Sequence, residues 1–468
     1  MNFEMQRGKS IHLIGVGGCG MSAIAKILHQ MEYKVSGSDV KESANTIRLK
    51  DLGVKLFFEH EASNVRGADL VVYSSAIAKD NVELVAARER DIPIIQRAEM
   101  LAWIMEQSKI SIAVAGTHGK TTTTSMLALI FEKSGLNPTY LVGGEANDVE
   151  GNARLGNGRY VVAEADESDG SFLKLHPKLS VITNIEEDHL DHYGSLGKIM
   201  EAFIAYAETI ASDGLIVINN DHPNCRVFMQ AVSGKRRILT YGLNQEADLR
   251  AANIEFEENV CRFDVIGKGK EYGRMQLSIP GVQNVINALG ALLVGLELGE
   301  DFGTMSRILQ TFVGARRRFQ LLGSENGIMV YDDYAHHPTE IEYTLRAAKG
   351  GWPAKRIIVV FQPHRYTRTH FLKEEFAKCF SNADLVIAAD IYSAGEDPIP
   401  GVSGEIMARE IQKHHPKVEY IPRKEKIAEF LVKEARSNDM IITVGAGDIY
   451  TVGKEFLGRI RQQSEAAR

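Results

Sequence analysis

Residues 116–124 read Gly-Thr-His-Gly-Lys-Thr-Thr-Thr-Thr, and this stretch restricts the fold more than any other. Before it, Ile-Ser-Ile-Ala-Val-Ala (110–115) is short, mostly apolar and rich in β-branched side chains, the composition of a buried strand. After it, residues 125–133 carry apolar side chains at helical spacing. Strand, glycine turn, Lys-Thr, helix is the layout of a phosphate-binding loop. Glycines let backbone N–H groups approach phosphate oxygens, and the helix N-terminus adds partial positive charge. In that layout Lys120 reaches the β- and γ-phosphates of a nucleotide and the Thr121 hydroxyl meets Mg²⁺. The loop is shortened. G-x-x-x-x-G-K-[ST] requires glycine at 114, but Val114 stands there and the first glycine arrives at Gly116. Four threonines in a row form helix poorly, a composition that makes sense where hydroxyls serve a ligand.

The chain before this loop carries a second glycine motif. Residues 10–15 read as a strand, and Gly15-Val-Gly17-Gly18-Cys-Gly20 fits G-x-G-x-x-G. A helix over 21–30 and a strand over 33–37 follow, and Asp39 lies 19 residues after the last glycine. Glycine turn and acid together form a fingerprint for a diphosphate beside a ribose, whether dinucleotide or UDP-sugar. A further strand over 69–74 ends at Ser74-Ser75-Ala76-Ile77, at the carboxyl end where open α/β sheets bind ligands.

Beyond the phosphate loop, residues 159–163 read as a strand, with Glu164-Ala-Asp166-Glu167-Ser-Asp169 directly after it. A carboxylate at that place suits a Mg²⁺ that takes few protein oxygens alongside phosphates. The strand at 180–184 leads into Glu186-Glu-Asp188-His189-Leu-Asp191-His192, too poor in nitrogen and sulfur ligands for zinc but able to offer one His to a second divalent ion. Residues 248–279 alternate like an antiparallel patch, with strands expected at 249–256, 260–266 and 275–279. Asn284 and Asn287 then share one helix face, and Arg316-Arg317-Arg318 stands near a boundary where it could reach phosphate.

From 323 onward strands and helices alternate again, with strands expected at 328–331, 356–361, 384–389, 418–421 and 440–444. Asp333-Tyr334-Ala-His336-His337 ends the first of these and Gln362-Pro-His364-Arg365-Tyr-Thr-Arg368 the second. Arg365 and Arg368, three apart where a helix starts, are placed to clamp one carboxylate. The fold class is therefore α/β in three domains. Residues 1–108 form a Rossmann-like unit, 109–322 a P-loop-like unit with an antiparallel patch, and 323–468 a second Rossmann-like unit.

The net charge of −7 removes the basic footprint expected of a nucleic-acid binder. Four cysteines without a C-x-x-C suggest neither disulfide framework nor zinc knuckle. No apolar run reaches transmembrane length and no signal-peptide core appears at the start, so a reducing, cytoplasmic location is expected. An NAD-dependent oxidoreductase would explain residues 15–39 but leave the phosphate loop idle. A P-loop switch module would do the reverse.

Taken in order, Gly116-Thr-His-Gly-Lys-Thr-Thr, Glu164-Ala-Asp-Glu-Ser-Asp, Thr183-Asn184 with Asp188-His189-Leu-Asp191, Asn284 with Asn287-Ala, and Asp333-Tyr-Ala-His-His-Pro resemble the ATP-dependent Mur ligases of bacterial cell-wall synthesis over nearly the whole chain. Gly-Val-Gly-Gly-Cys-Gly-Met-Ser near the start and Phe361-Gln-Pro-His-Arg-Tyr-Thr-Arg resemble the members that add L-alanine to UDP-N-acetylmuramate, more than those that attach a recycled tripeptide. The resemblance implies ATP, Mg²⁺ as one ion or two with Mn²⁺ as a substitute, and an acyl-phosphate mechanism. Gly116, Thr117, His118, Gly119, Lys120, Thr121 and Thr122 would hold the nucleotide, with Asn287 at adenine, Asp333 at its ribose and Arg317 nearby. Thr121, Glu164 and His189 would ligate metal. Gly17, Gly18, Asp39, His60, Ser74, Ser75 and Ala76 would face the UDP portion. Tyr334, His364, Arg365 and Arg368 would receive alanine. Lys120, Glu164, His189 and Arg365 would carry the chemistry. Sites on three sheets imply domain closure, and monomer and dimer both stay open.

Overall fold

In the computed structural model, residues 5–144 and 151–466 are described. The chain divides into two compact units. The first comprises Met1–Ile185, Met200–Leu249 and Ala288–Leu309, and the second Glu186–Ile199, Arg250–Asn287 and Gln310–Arg468.

The first unit holds two sheets. Strands β1 (Ser10–Ile14), β2 (Lys34–Ser38), β3 (Lys55–Phe57), β4 (Leu70–Tyr73) and β5 (Ile94–Gln96) run in the order β3-β2-β1-β4-β5, all parallel. The order reverses beside β1, so the turn after β1 opens on a switch point. Ile11, Leu13 and Ile14 of β1 are fully buried, as a parallel strand covered on both faces must be. The other sheet contains β6 (Ile110–Ala115), β7 (Thr139–Leu141), β8 (Ala153–Arg154), β9 (Tyr160–Glu164), β10 (Leu179–Ile182), β11 (Leu215–Asn219) and β12 (Arg237–Gly242). Within this unit they follow the order β12-β11-β10-β6-β9-β7-β8, parallel except for β8. Strand β6, central and buried from Ser111 onward, aims the phosphate loop out of its carboxyl end.

The helix after that loop spans Lys120–Lys133 and takes in all four threonines, of which Thr122, Thr123 and Thr124 are buried. It therefore starts five residues before the apolar periodicity does. Packing against the sheet outweighs the threonines' weak helix propensity.

The second unit carries β13 (Leu249–Glu257), β14 (Val260–Gly267) and β15 (Lys270–Leu277). The last of these begins five residues earlier than the alternation suggests. Gly267 pairs with Lys270 across the hairpin, and Gly269, at φ +70°, makes its turn. A mixed sheet follows, with β16 (Gln320–Glu325), β17 (Ile328–Asp333), β18 (Arg356–Phe361), β19 (Leu385–Ala388), β20 (Val418–Tyr420) and β21 (Asp439–Val444) in the order β16-β17-β21-β18-β19-β20. Only β16 runs antiparallel. The bidentate contact of Arg356 with Asp439, at 3.0 and 2.7 Å, ties the starts of β18 and β21 together.

Phe361 closes β18 with no exposed surface. Its ring lies 5.5 Å from that of Phe376 and 5.1 Å from that of Phe380, directly before the polar segment 362–368. Replacing it by alanine is expected to destabilise the second unit by about 3–5 kcal/mol. Hydrogen exchange should show faster opening of β18 and β21, while amides of β1 and β4 keep their protection.

Candidate active site

In the first unit the turn after β1 is built from backbone. Gly15, at φ +79°, and Val16 both donate to the Ser38 carbonyl at 2.9 and 3.0 Å. Gly17 N–H donates to Asp39 Oδ2 at 2.8 Å, and Asn45 Nδ2 donates to the Gly17 carbonyl at 2.9 Å. Any side chain at Gly17 would strike that carboxylate, 2.7 Å from an added Cβ. The Asp39 carboxylate therefore fixes the glycine turn itself, and its second oxygen accepts from Lys41 N–H at 3.3 Å. Ser74 N–H donates to the Ile14 carbonyl at 3.3 Å, and Ser75 and Ala76 stay exposed at the strand ends. His60 lies above β2, its Nδ1 3.2 Å from Ser38 Oγ and 3.1 Å from Glu83 Oε2.

The phosphate loop is equally tightly specified. Gly116 has φ +126°, and an added Cβ would lie 2.2 Å from Thr183 Oγ1. Thr117 N–H donates to the Asn184 carbonyl at 3.2 Å. His118 N–H donates to Asn184 Oδ1 at 2.8 Å, and Asn184 Nδ2 returns a bond to the His118 carbonyl at 3.0 Å. Asn184, which the sequence reading quoted without giving it a role, is thus the template on which the loop is folded. Gly119 caps the helix in the left-handed region.

Lys120 folds back over the loop. Its Nζ donates to the Gly116 and Thr117 carbonyls at 2.5 and 3.1 Å and to Glu167 Oε1 at 2.8 Å. Burial works against the ammonium, yet the neighbouring carboxylates, Glu167 first, raise its pKa and keep it charged. Burial pushes Glu167 up to about 7, and Asp166 adds to the rise. Asp166 itself is held down at about 2: burial opposes its charge, but Arg97, 2.7 Å away, and Lys120 prevail. Glu164, the last residue of β9, accepts from Thr121 Oγ1 at 3.2 Å and from Gly143 N–H at 2.5 Å. A hydroxyl and a carboxylate side by side are the hard oxygen donors Mg²⁺ prefers. Arg97 and Glu167 carried no signal that sequence spacing alone could have turned into a role.

The second unit gathers the remaining groups. Asp188 receives Arg368 in a two-point bond, Nε to Oδ1 at 3.0 Å and Nη2 to Oδ2 at 3.3 Å. Burial opposes the Asp188 charge, yet Arg368 and three histidines hold its carboxyl far below the usual range. His189, at φ +53°, has Nε2 3.6 Å from Asp188 Oδ2. Arg365, at φ +70°, reaches Asp191 at 3.8 Å and Glu396 at 3.7 Å. The two guanidiniums thus sit on separate carboxylates instead of sharing one, because the desolvated Arg368 takes its counter-charge from Asp188. They nevertheless border one narrow cleft, with Asp191 and Phe371 on its other sides. His364 stacks on Tyr392 at 5.6 Å and 8°, and burial with Arg368 and Arg365 pushes its pKa down to about 4.

Arg317 lies between the rings of Tyr334 and Tyr450, at 4.9 and 4.7 Å. Its guanidinium donates to Asp332 Oδ2 at 2.9 Å and to the Gly445 carbonyl at 2.7 Å. Arg318 pairs with Glu340 at 3.2 Å. Asp333 ends β17 and accepts from Phe319 N–H, Thr344 Oγ1 and Ala335 N–H at 3.0, 3.0 and 2.8 Å. Asn287 is buried, while Asn284 bonds the Pro280 carbonyl at 2.7 Å.

Three family models match consecutive stretches. They are described as Mur ligase family, catalytic domain (residues 10–109), Mur ligase middle domain (114–295) and Mur ligase, glutamate ligase domain (317–447). Among similar proteins, the UDP-N-acetylmuramate–L-alanine ligase of Pelotomaculum thermopropionicum is 49% identical, over 98% of this chain and all of that one. Its namesake from Geotalea daltonii is 48% identical over 97% of this chain and 98% of that one. Among solved structures, the UDP-N-acetylmuramate-alanine ligase of Thermotoga maritima superposes with a TM-score of 0.82 at 30% identity, covering 97% of this chain and 99% of that one. A murein peptide ligase from Psychrobacter arcticus reaches 0.71 at 25% identity, with the same coverage.

Burial pushes Asp333 up from 3.8 to about 6. A raised carboxyl binds more protons folded than unfolded between those values, so its stabilising contribution is complete below 3.8 and is lost as pH rises through 6. Denaturation of Asp333→Asn across pH 4–7 is expected to lose that part of the wild-type slope. Asp188→Ala leaves a buried guanidinium without its partner and is expected to cost about 3–5 kcal/mol in the same assay.

Proposed function

The chain belongs to the Mur ligase family, and on that premise we infer that it joins the amino group of L-alanine to the carboxylate of UDP-N-acetylmuramate at the expense of ATP. The products are UDP-N-acetylmuramoyl-L-alanine, ADP and phosphate, in the synthesis of peptidoglycan precursors. The observation that carries this reading is the half-buried Lys120 ammonium closing a glycine loop beside the Thr121–Glu164 pair.

A carboxylate cannot lose oxide to an amine at neutral pH, so it must first be activated. A carboxylate oxygen of the sugar attacks the γ-phosphorus, the bond to ADP breaks, and an acyl phosphate results. That transfer needs charge stabilisation rather than a protein nucleophile. Loop N–H groups and Lys120 surround the phosphates, and Glu167 yields its place on the lysine to them. Thr121 and Glu164 would hold Mg²⁺, with Mn²⁺ as a substitute, and His189 would serve a second ion; such ions neutralise phosphate charge when bound. The neutral amine of alanine then attacks the acyl carbon to give a tetrahedral intermediate, and phosphate leaves with the former carboxylate oxygen while the nitrogen gives up one proton, which the departing phosphate can take.

Residue roles divide by sheet. The turn at Gly17 and Gly18, with Asp39, His60 and the Ser74–Ser75–Ala76 loop, takes the UDP portion. Asn287 serves the adenine and Asp333 the ribose of ATP. Arg365 is the more exposed of the two cleft arginines and suits the alanine carboxylate, with Arg368, His364 and Tyr334 around it. Arg317, already fully engaged, supports Tyr334. A division into sugar (1–108), nucleotide (109–322) and amino-acid (323–468) domains follows. No helix among the described residues is long and apolar enough to cross a membrane, in keeping with a cytoplasmic enzyme.

ADP release should require UDP-N-acetylmuramate and respond to free alanine but not to the recycled tripeptide; a response to the tripeptide alone would overturn the assignment. Lys120→Ala should abolish ligation while circular dichroism stays native. Arg365→Ala should raise KM for alanine by the equivalent of about 1.5–3 kcal/mol, the worth of a charge-assisted bond, with KM for ATP unchanged.

A further inference from the structure

A buried carboxylate lies beneath the crevice of the first sheet and takes no part in the chemistry above. Glu83 stands in the first turn of the helix Val82–Glu89, whose cap is Asn81, and its side chain is fully buried. Four groups from three different parts of the sheet converge on it. Ser38 Oγ, at the end of β2, donates to Oε2 at 2.6 Å, and Asn64 Nδ2 donates to Oε1 at 2.5 Å. His60 Nδ1 lies 3.1 Å from Oε2. His12 Nε2, from the middle of β1, lies 3.7 Å from Oε1, and its other nitrogen is 2.9 Å from Ser36 Oγ. Burial opposes the charge on Glu83, but His12, Ser38 and Asn64 hold it down at about 2, so the group is a carboxylate at any working pH.

An ionised carboxylate can only accept. His60 must therefore carry its hydrogen on Nδ1, and in the neutral ring Nε2 is an acceptor. The His60 side chain is 18% exposed, while the Nδ1 edge faces a group with no exposure, so the open edge is the one bearing Nε2. The ring also lies against Ser38, the neighbour of Asp39, which fixes the Gly17 turn. We propose that Glu83 is a positioning residue for the nucleotide-sugar, holding His60 in the Nδ1–H form so that Nε2 accepts a hydrogen bond from an N–H or O–H of the UDP portion. The proposal rests on the reading that this crevice takes the UDP portion.

The test is a double-mutant cycle on the full chain, with KM measured separately for UDP-N-acetylmuramate, ATP and alanine. Glu83→Gln can donate where the carboxylate only accepted, and so releases the tautomer. It is expected to raise KM for the sugar nucleotide roughly tenfold, leaving kcat and the other two KM values in place. His60→Ala should do the same, and the double variant should be no worse than His60→Ala alone. An equal effect of Glu83→Gln in both backgrounds, no effect on KM, or a parallel rise in all three KM values would overturn the proposal. Nitrogen NMR of the unaltered protein, with the His60 ring neutral, gives a readout independent of any variant's folding: hydrogen on Nδ1 supports the proposal and hydrogen on Nε2 contradicts it. Ligation by the unaltered protein separates this question from the assignment of the reaction, since a wild-type chain inactive with the sugar nucleotide would remove the underlying reading instead.

Discussion

A lysine ammonium folded back over its own loop is the constraint around which the first unit is arranged. Lys120 gives its three donors to the Gly116 and Thr117 carbonyls and to Glu167, which matches the donor count of an ammonium. For those carbonyls to point inward, Gly116 must occupy a region of backbone space that a side chain would strain. The loop must also be pinned from behind, which Asn184 does with three hydrogen bonds. The shortened glycine motif is therefore compensated by a side chain from the end of the neighbouring strand β10, a substitution of packing for glycine count.

The same logic recurs in the second unit. Cations that a substrate would engage are already satisfied by protein carboxylates: Arg368 by Asp188, Arg365 by Asp191 and Glu396, Arg318 by Glu340. A buried charge without a partner would cost several kcal/mol, so the resting protein supplies one. A ligand anion must then compete with these internal anions, or bind on an edge they leave open. Arg368 is the more deeply committed and Arg365 the more accessible. Arg317 is likewise enclosed, by two tyrosine rings, Asp332 and the Gly445 carbonyl.

Much of this is legible in the sequence. Parallel strands announced themselves as short apolar runs, and β6 and β18 begin and end where the sequence placed them. Glycine motifs fixed the two turns because few other residues satisfy their backbone angles. Boundaries failed where tertiary packing overrode local preference, at the threonine-rich start of the helix Lys120–Lys133 and at the Lys270 end of the β14–β15 hairpin. Long-range partners were the real blind spot. Nothing in the spacing of Glu83, Asn184 or Glu167 reveals that each completes a motif tens of residues away. Similarly, Asp39 matched the ribose-binding pattern, yet its observed contact is to the glycine turn itself, a role that the same spacing serves equally well.

The central claim is that the shortened loop grips a triphosphate through Lys120, displacing Glu167, so that a sugar-borne acid becomes reactive. The most direct test is a structure of the protein with a non-hydrolysable ATP analogue bound. The account predicts the β- and γ-phosphates inside residues 116–121 with the lysine turned from Glu167 onto them; an analogue bound elsewhere, with the Lys120–Glu167 pair still closed, would contradict it.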